Sequence, residues 1–174
     1  MFKRDILFHL ERWKVDTHRK PLILRGARQV GKTTVVNEFG KQFDNYLYLN
    51  LEKREAASLF ELNVSLKDLM PLFFVHCGKV RNEGTILLFI DEIQNSARAV
   101  ALLRYFYEEL PDIYVIAAGS LLENLIDVRV SFPVGRVQYM ALRPCSFREF
   151  LGAVGEEPLL SVLDKPEITL AFHD

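Results

Sequence analysis

Cysteine is scarce in this chain: Cys77 and Cys145 are the only two among 174 residues, and neither falls in a paired spacing. That excludes a disulfide framework and a Cys/His zinc cluster, and both side chains read as reduced thiols of a cytoplasmic protein. Long apolar runs are absent as well. None approaches the roughly 18 residues of a membrane span. The opening MFKRDILFHLERW interrupts its apolar positions with charges, so the uninterrupted core of a signal peptide is lacking. Charge excess of either sign is missing too. With 22 Lys and Arg against 23 Asp and Glu, the formal net charge of −1 argues against a chain-wide basic surface for nucleic acid, while a local patch stays open. Internal repeats and low-complexity segments do not occur. What remains, 49% hydrophobic and 26% charged side chains, suffices to bury one substantial core, and one domain is the expectation.

The most informative stretch runs from Lys20 to Phe39, KPLILRGARQVGKTTVVNEF. Gly26, Gly31, Lys32 and Thr33 meet the pattern G-x-x-x-x-G-K-[ST] of a phosphate-binding loop. Leu22, Ile23 and Leu24 form a buried-strand signal before it, and Thr34 to Phe39 continue as helix after it. A polyphosphate crowds negative charge into a small volume, so backbone N–H groups must point inward, and glycine removes the Cβ that would stand in the way. The loop from Gly26 through Ala27, Arg28, Gln29, Val30 and Gly31 to Thr34 is therefore the expected phosphate cradle, aided by the positive end of the following helix. Lys32 supplies a point charge for the outer phosphates. The Thr33 hydroxyl is an oxygen ligand of the kind Mg²⁺ prefers.

Taken in order, Phe2 to Val15 has Phe2, Ile6, Leu7, Leu10 and Trp13 at helical spacing, an amphipathic helix in which Trp13 reads as core rather than as a platform for a base. Tyr46 to Leu51 is a second strand, followed by a charged EKREAAS. A helix then runs from Leu66 to Val80, started by Ser65 with Asp68 and ending near His76 and Cys77, neither of them expected to be catalytic. The run Ile86 to Ile90 is five consecutive apolar residues, the pattern of a parallel strand covered on both faces, and it ends in Asp91 and Glu92. Ligands of open parallel sheets sit at that edge, which brings these carboxylates beside the glycine loop.

A helix from Ser96 through Leu110, a strand IYVIAAGS ending at Ser120, a strand from Arg136 to Leu142 and a short helix SFREFL with Ser146 and Glu149 as a capping box complete the pattern. Ser120 is a candidate sensor of the γ-phosphate, or with Glu123 a helix cap. Residues 153–174 read as a linker or the opening of a further domain, and residues 1–152 as the domain itself. Strands alternating with helices require a parallel sheet with helices on both faces.

The combination GARQVGKTT, LLFIDEIQ, a strand ending AAGS and GRVQYMALRPCSFREFL resembles the AAA-type P-loop ATPases of the AAA_14 group, prokaryotic proteins associated with a DUF4143 domain. The resemblance covers about residues 1 to 152. It implies an α/β, three-layer P-loop NTPase of the additional-strand, RecA/AAA-like kind, with a central, mainly parallel five-stranded sheet. In that sheet the strand ending at Ser120 lies between the glycine-loop strand and the Asp91 strand. It also implies ATP and Mg²⁺ as cofactors, with hydrolysis as the reaction. Lys32 and the loop would hold the phosphates, Thr33 and Asp91 the metal, and Glu92 would polarise the attacking water. Relatives of this type act in assemblies, so a homo-oligomer is in prospect, and a DNA or protein partner would be engaged through a C-terminal half beyond Asp174.

Three readings stand beside this one. A GTPase would carry a guanine-reading N-K-x-D, and none is present. A small-molecule kinase shares the loop, although Asp91 with Glu92 favours transfer to water. A nucleotide-operated binding module with little hydrolysis is the third. Arg136, at the start of the last strand, is a candidate arginine finger acting on a neighbouring subunit, against a structural arginine. The arginines at 129, 136, 143 and 148 form either a basic strip or solvated surface charge.

Overall fold

The computed structural model describes residues 4–119 and 135–163. Five strands form one sheet: β1 (Leu22–Arg25), β2 (Asn45–Asn50), β3 (Ile86–Asp91), β4 (Ile113–Gly119) and β5 (Gln138–Ala141). Their order is β2-β3-β4-β1-β5, and every neighbouring pair is parallel. Among the described residues the helices are α1 (Ile6–Val15), α2 (Lys32–Gly40), α3 (Arg54–Phe60), α4 (Leu66–His76), α5 (Ala97–Glu109), α6 (Phe147–Val154) and α7 (Glu157–Leu163), with a 3₁₀ turn at Ile93–Asn95.

Alternation along the strands sends consecutive side chains into two separate cores. Ile23, Leu88, Ile90, Val115 and Ala117 meet α3, α4 and α5 through Phe60, Leu69, Phe73, Leu103 and Phe106. On the other face Leu22, Leu24, Leu87, Phe89 and Ile116 meet α1 and α2 through Leu10, Trp13, Val36 and Phe39. Two covered faces explain why β3 is buried at all six positions and reads as an unbroken apolar run. The result is the three-layer α/β architecture, with β4 between β1 and β3 as the resemblance implied. Trp13 belongs to the core: its Nε1 donates to the Lys20 carbonyl at 2.8 Å and its ring lies edge-on to Tyr114.

Local caps follow the expected chemistry. The Ser65 hydroxyl accepts from the Asp68 N–H, and the Ser96 hydroxyl from the Ala99 N–H. Ser146 and Glu149 make a complete capping box. Two elements differ from the expectation. The charged stretch after β2 is a helix, α3, whose only fully buried side chains are Ala56 and Phe60, a stripe too brief to register as a period. Past Leu151 the chain continues as helix to Val154, turns at Gly155 and forms α7, inside the stretch read as a linker or the opening of a further domain.

Candidate functional site

Because β1, β3 and β4 are parallel neighbours, their C-terminal ends share one edge of the sheet. Register sets Arg25 opposite Gly119 and Asn50 opposite Asp91, so the loop leaving β1 and the carboxylates leaving β3 flank the end of β4. β4 is described to Gly119; Ser120 and Arg129 lie outside the described residues.

The two loop glycines are required for different reasons. Gly31 caps α2 with φ +95, left-handed backbone that a side chain disfavours. A Cβ on Gly26 would run into the carbonyl oxygen of Leu142, which leaves β5 alongside. Close approach at Gly26 thus serves the neighbouring strand, where the sequence suggested the phosphates alone. Gln29 is also left-handed, at φ +64.

Lys32, at the first position of α2, is only 6% exposed, and its ammonium donates to the carbonyls of Gly26 at 2.8 Å and Ala27 at 2.9 Å. Burial pulls its pKa down, while the nearby Glu92 and Asp91 carboxylates oppose that shift. The Thr33 hydroxyl donates to Asp91 Oδ2 at 2.7 Å, closing the gap between loop and β3. Asp91 is 3% exposed, and burial pushes its carboxyl up against the Thr33 hydrogen bond and that from the Glu92 N–H. Glu92 takes left-handed backbone at φ +53, an uncommon state for a non-glycine residue of the kind that gathers at functional sites.

Three neighbours were not singled out by sequence. The Tyr48 hydroxyl donates to Asp91 Oδ2 at 3.3 Å, and its phenol is pushed up to about 12, by burial first and then by the Asp91 charge. The Gln94 amide donates to Glu92 Oε2. Arg4, from the turn before α1, donates to the Val30 carbonyl at 3.1 Å, the Arg143 carbonyl at 2.8 Å and Glu149 Oε1 at 2.9 Å. Alternation in YLYLNL could have told which face Tyr48 occupies. No local signal marked Arg4, whose partners are up to 145 positions away.

A cavity of about 380 Å³ opens beside the loop, with Val30, Gly31, Thr34, Val35, Pro144 and Cys145 in its wall. Arg28 points away from it, exposed and in a loose pair with Glu52 at 3.6 Å. Arg136 is not brought to the loop. It precedes β5 at the opposite edge of the sheet and pairs with Glu108 at 2.9 Å. Arg143 follows the same strand, so seven residues of near-extended chain, roughly 20 Å, part the two arginines. They lie at opposite edges of the sheet.

A parallel sheet in this order, with the glycine loop after β1 and a buried aspartate ending β3, is the fold of a P-loop ATPase of the AAA type. The chain belongs to the family AAA_14, described as an AAA domain, whose pattern matches residues 18–151. Among solved structures it is similar to the Walker-type ATPase PABY2304 of Pyrococcus abyssi, at a TM-score of 0.57 and 20% identity. That likeness covers 92% of this chain and 59% of the other, a likeness of fold. No curated protein matches.

Proposed function

We propose that this chain binds ATP together with Mg²⁺ and hydrolyses it to ADP and phosphate. The observation that carries the reading is the 2.7 Å hydrogen bond from Thr33 to Asp91, which unites the glycine loop and the end of β3 in one polar site. Family membership supports nucleotide as the ligand.

Lys32 already lies across the loop on two carbonyls, and a shift from these to phosphate oxygens exchanges neutral acceptors for charged ones, which strengthens each bond. The donor set suits Mg²⁺: a hydroxyl and a carboxylate, both hard oxygen ligands, beside a loop that would bring phosphate oxygens. Thr33 would hold the ion directly and Asp91 through water. When bound, it would neutralise charge on the β- and γ-phosphates. Glu92 follows Asp91 and is half-buried at the same edge. It accepts a proton from water as the water oxygen attacks the γ-phosphorus and the bond to the β-phosphate oxygen breaks. The cavity wall of Val30, Val35 and Pro144 offers apolar surface to the base.

Calorimetry with ATP in Mg²⁺ buffer, together with phosphate release, tests this directly. Lys32→Ala should weaken ATP binding by about tenfold or more, the value of a charged hydrogen bond. Glu92→Gln should bind as the parent does and turn over about 100-fold more slowly. Undiminished affinity in the lysine variant would remove the phosphate site. Binding without phosphate release by the parent would favour a nucleotide-operated switch.

A further inference from the structure

The sequence places Gln94 two residues after Glu92, a spacing at which side chains on a regular helix point away from each other. Here the backbone overrides that geometry. Glu92 turns left-handed as it leaves β3, and the 3₁₀ turn at Ile93–Asn95 folds the chain back at once. The Gln94 amide consequently reaches its neighbour and donates to Glu92 Oε2.

The turn that presents it is firmly anchored. Ile93 is fully buried in the core beside α5. The Asn95 N–H bonds to the Glu92 carbonyl at 3.0 Å and the Ser96 N–H to the Ile93 carbonyl at 3.1 Å, and Ser96 in turn caps α5. A glutamine serving only this turn would bond to its backbone groups. Instead, among the described residues, the side chain bonds to Glu92 alone, and its Oε1 is buried without a partner. Leaving a buried acceptor unpaired carries a cost, and here it accompanies the amide N–H that lies on the carboxylate.

We propose that Gln94 is a positioning residue for Glu92. This rests on the hydrolytic reading above. A glutamate has several rotatable bonds and loses base efficiency when its carboxylate wanders from the attacking water. The Gln94 amide occupies Oε2 and fixes the side chain, which leaves Oε1 to accept the proton. Asp91 is held in a comparable way by Thr33 and Tyr48, so each carboxylate at this edge has its own neutral donor.

The decisive variant is Gln94→Met, which keeps side-chain length and removes the donor. It should retain the ATP affinity and KM of the parent within about twofold, while kcat falls about tenfold, a fraction of what a general base supplies. Combined with Glu92→Gln it should cost nothing more, because the base it orients is already gone. Gln94→Glu, like in shape but repelling the carboxylate, should not rescue turnover. An unchanged or raised kcat in Gln94→Met overturns the proposal, and so does a full additional loss in the double variant. A parent protein that binds ATP without releasing phosphate overturns the hydrolytic reading and this role together, whereas a turning-over parent indifferent to Gln94→Met overturns this role alone.

Discussion

Asp91 bears an electrostatic cost in this site. Burial raises its carboxyl pKa in the folded chain, so the native state binds that proton more tightly than the unfolded chain does. The sign follows from linkage: stability falls as pH rises through the interval between the unfolded and folded values, and above it the ionised aspartate is a net burden. Asp91→Asn removes the charge and keeps one acceptor, enough for Thr33 and Tyr48 at the expense of the bond from the Glu92 N–H. In nucleotide-free buffer near pH 7 the variant should therefore melt at a higher temperature than the parent, with the advantage shrinking as the pH is lowered toward the aspartate range. Its Mg²⁺-dependent phosphate release should fall in the same preparation. A variant less stable than the parent at neutral pH would show that the hydrogen bonds to the carboxylate outweigh its desolvation.

At the scale of elements, one guanidinium joins two backbone carbonyls and a carboxylate from separate segments. Arg4 ties the glycine loop at Val30 to the turn after β5 at Arg143 and, through Glu149, to the capping box of α6. The Arg4 and Glu149 side chains are 8% and 7% exposed, so removal of Arg4 takes the counter-charge from a buried carboxylate. Arg4→Met should cost about 3 kcal/mol in denaturant unfolding. Burial alone would raise the Glu149 pKa, but N–H donors from Ser146 and Asp5 and the Arg4 guanidinium outweigh it and hold the value below the ordinary one. A lowered folded pKa means that this contribution is present above the unfolded value and is lost as pH falls through the folded one. Glu149→Gln should consequently flatten the acid limb of the stability curve, and an acid limb parallel to the parent's would contradict it.

At the scale of the whole molecule, Arg136 tests whether copies cooperate. In its own chain it sits at the sheet edge opposite the loop, paired with Glu108, and that pair is exposed enough to count for little. Only a site on another subunit could use it. On the geometry of a single chain, Arg136→Ala should leave turnover per subunit and ATP affinity unchanged. Mixing it with Lys32→Ala should restore nothing. Loss of turnover in Arg136→Ala together with rescue on mixing, at rates that depend on protein concentration, would establish a shared site. The chain spans 59% of the length of PABY2304, so partners that a longer protein engages belong to a different experiment.

Short-range pattern determined much of this protein. The loop from Gly26 to Thr33, the apolar run ending in Asp91 and Glu92, and the capping residues Ser65, Ser96 and Ser146 are each a local chemical requirement, and local requirements leave their mark in neighbouring residues. The resemblance carried the strand order, which no periodicity contains. Tertiary structure alone decided the rest. That Gly26 must be glycine because of Leu142, that Arg4 reaches Glu149, and that Tyr48 leans on Asp91 all follow from chain segments distant in sequence meeting at one sheet edge. Gln94 lies between the two cases. It stands in the same DEIQ as the carboxylates, yet only the left-handed turn at Glu92 brings its amide back to them, and a backbone reversal at a residue other than glycine has no signature in composition.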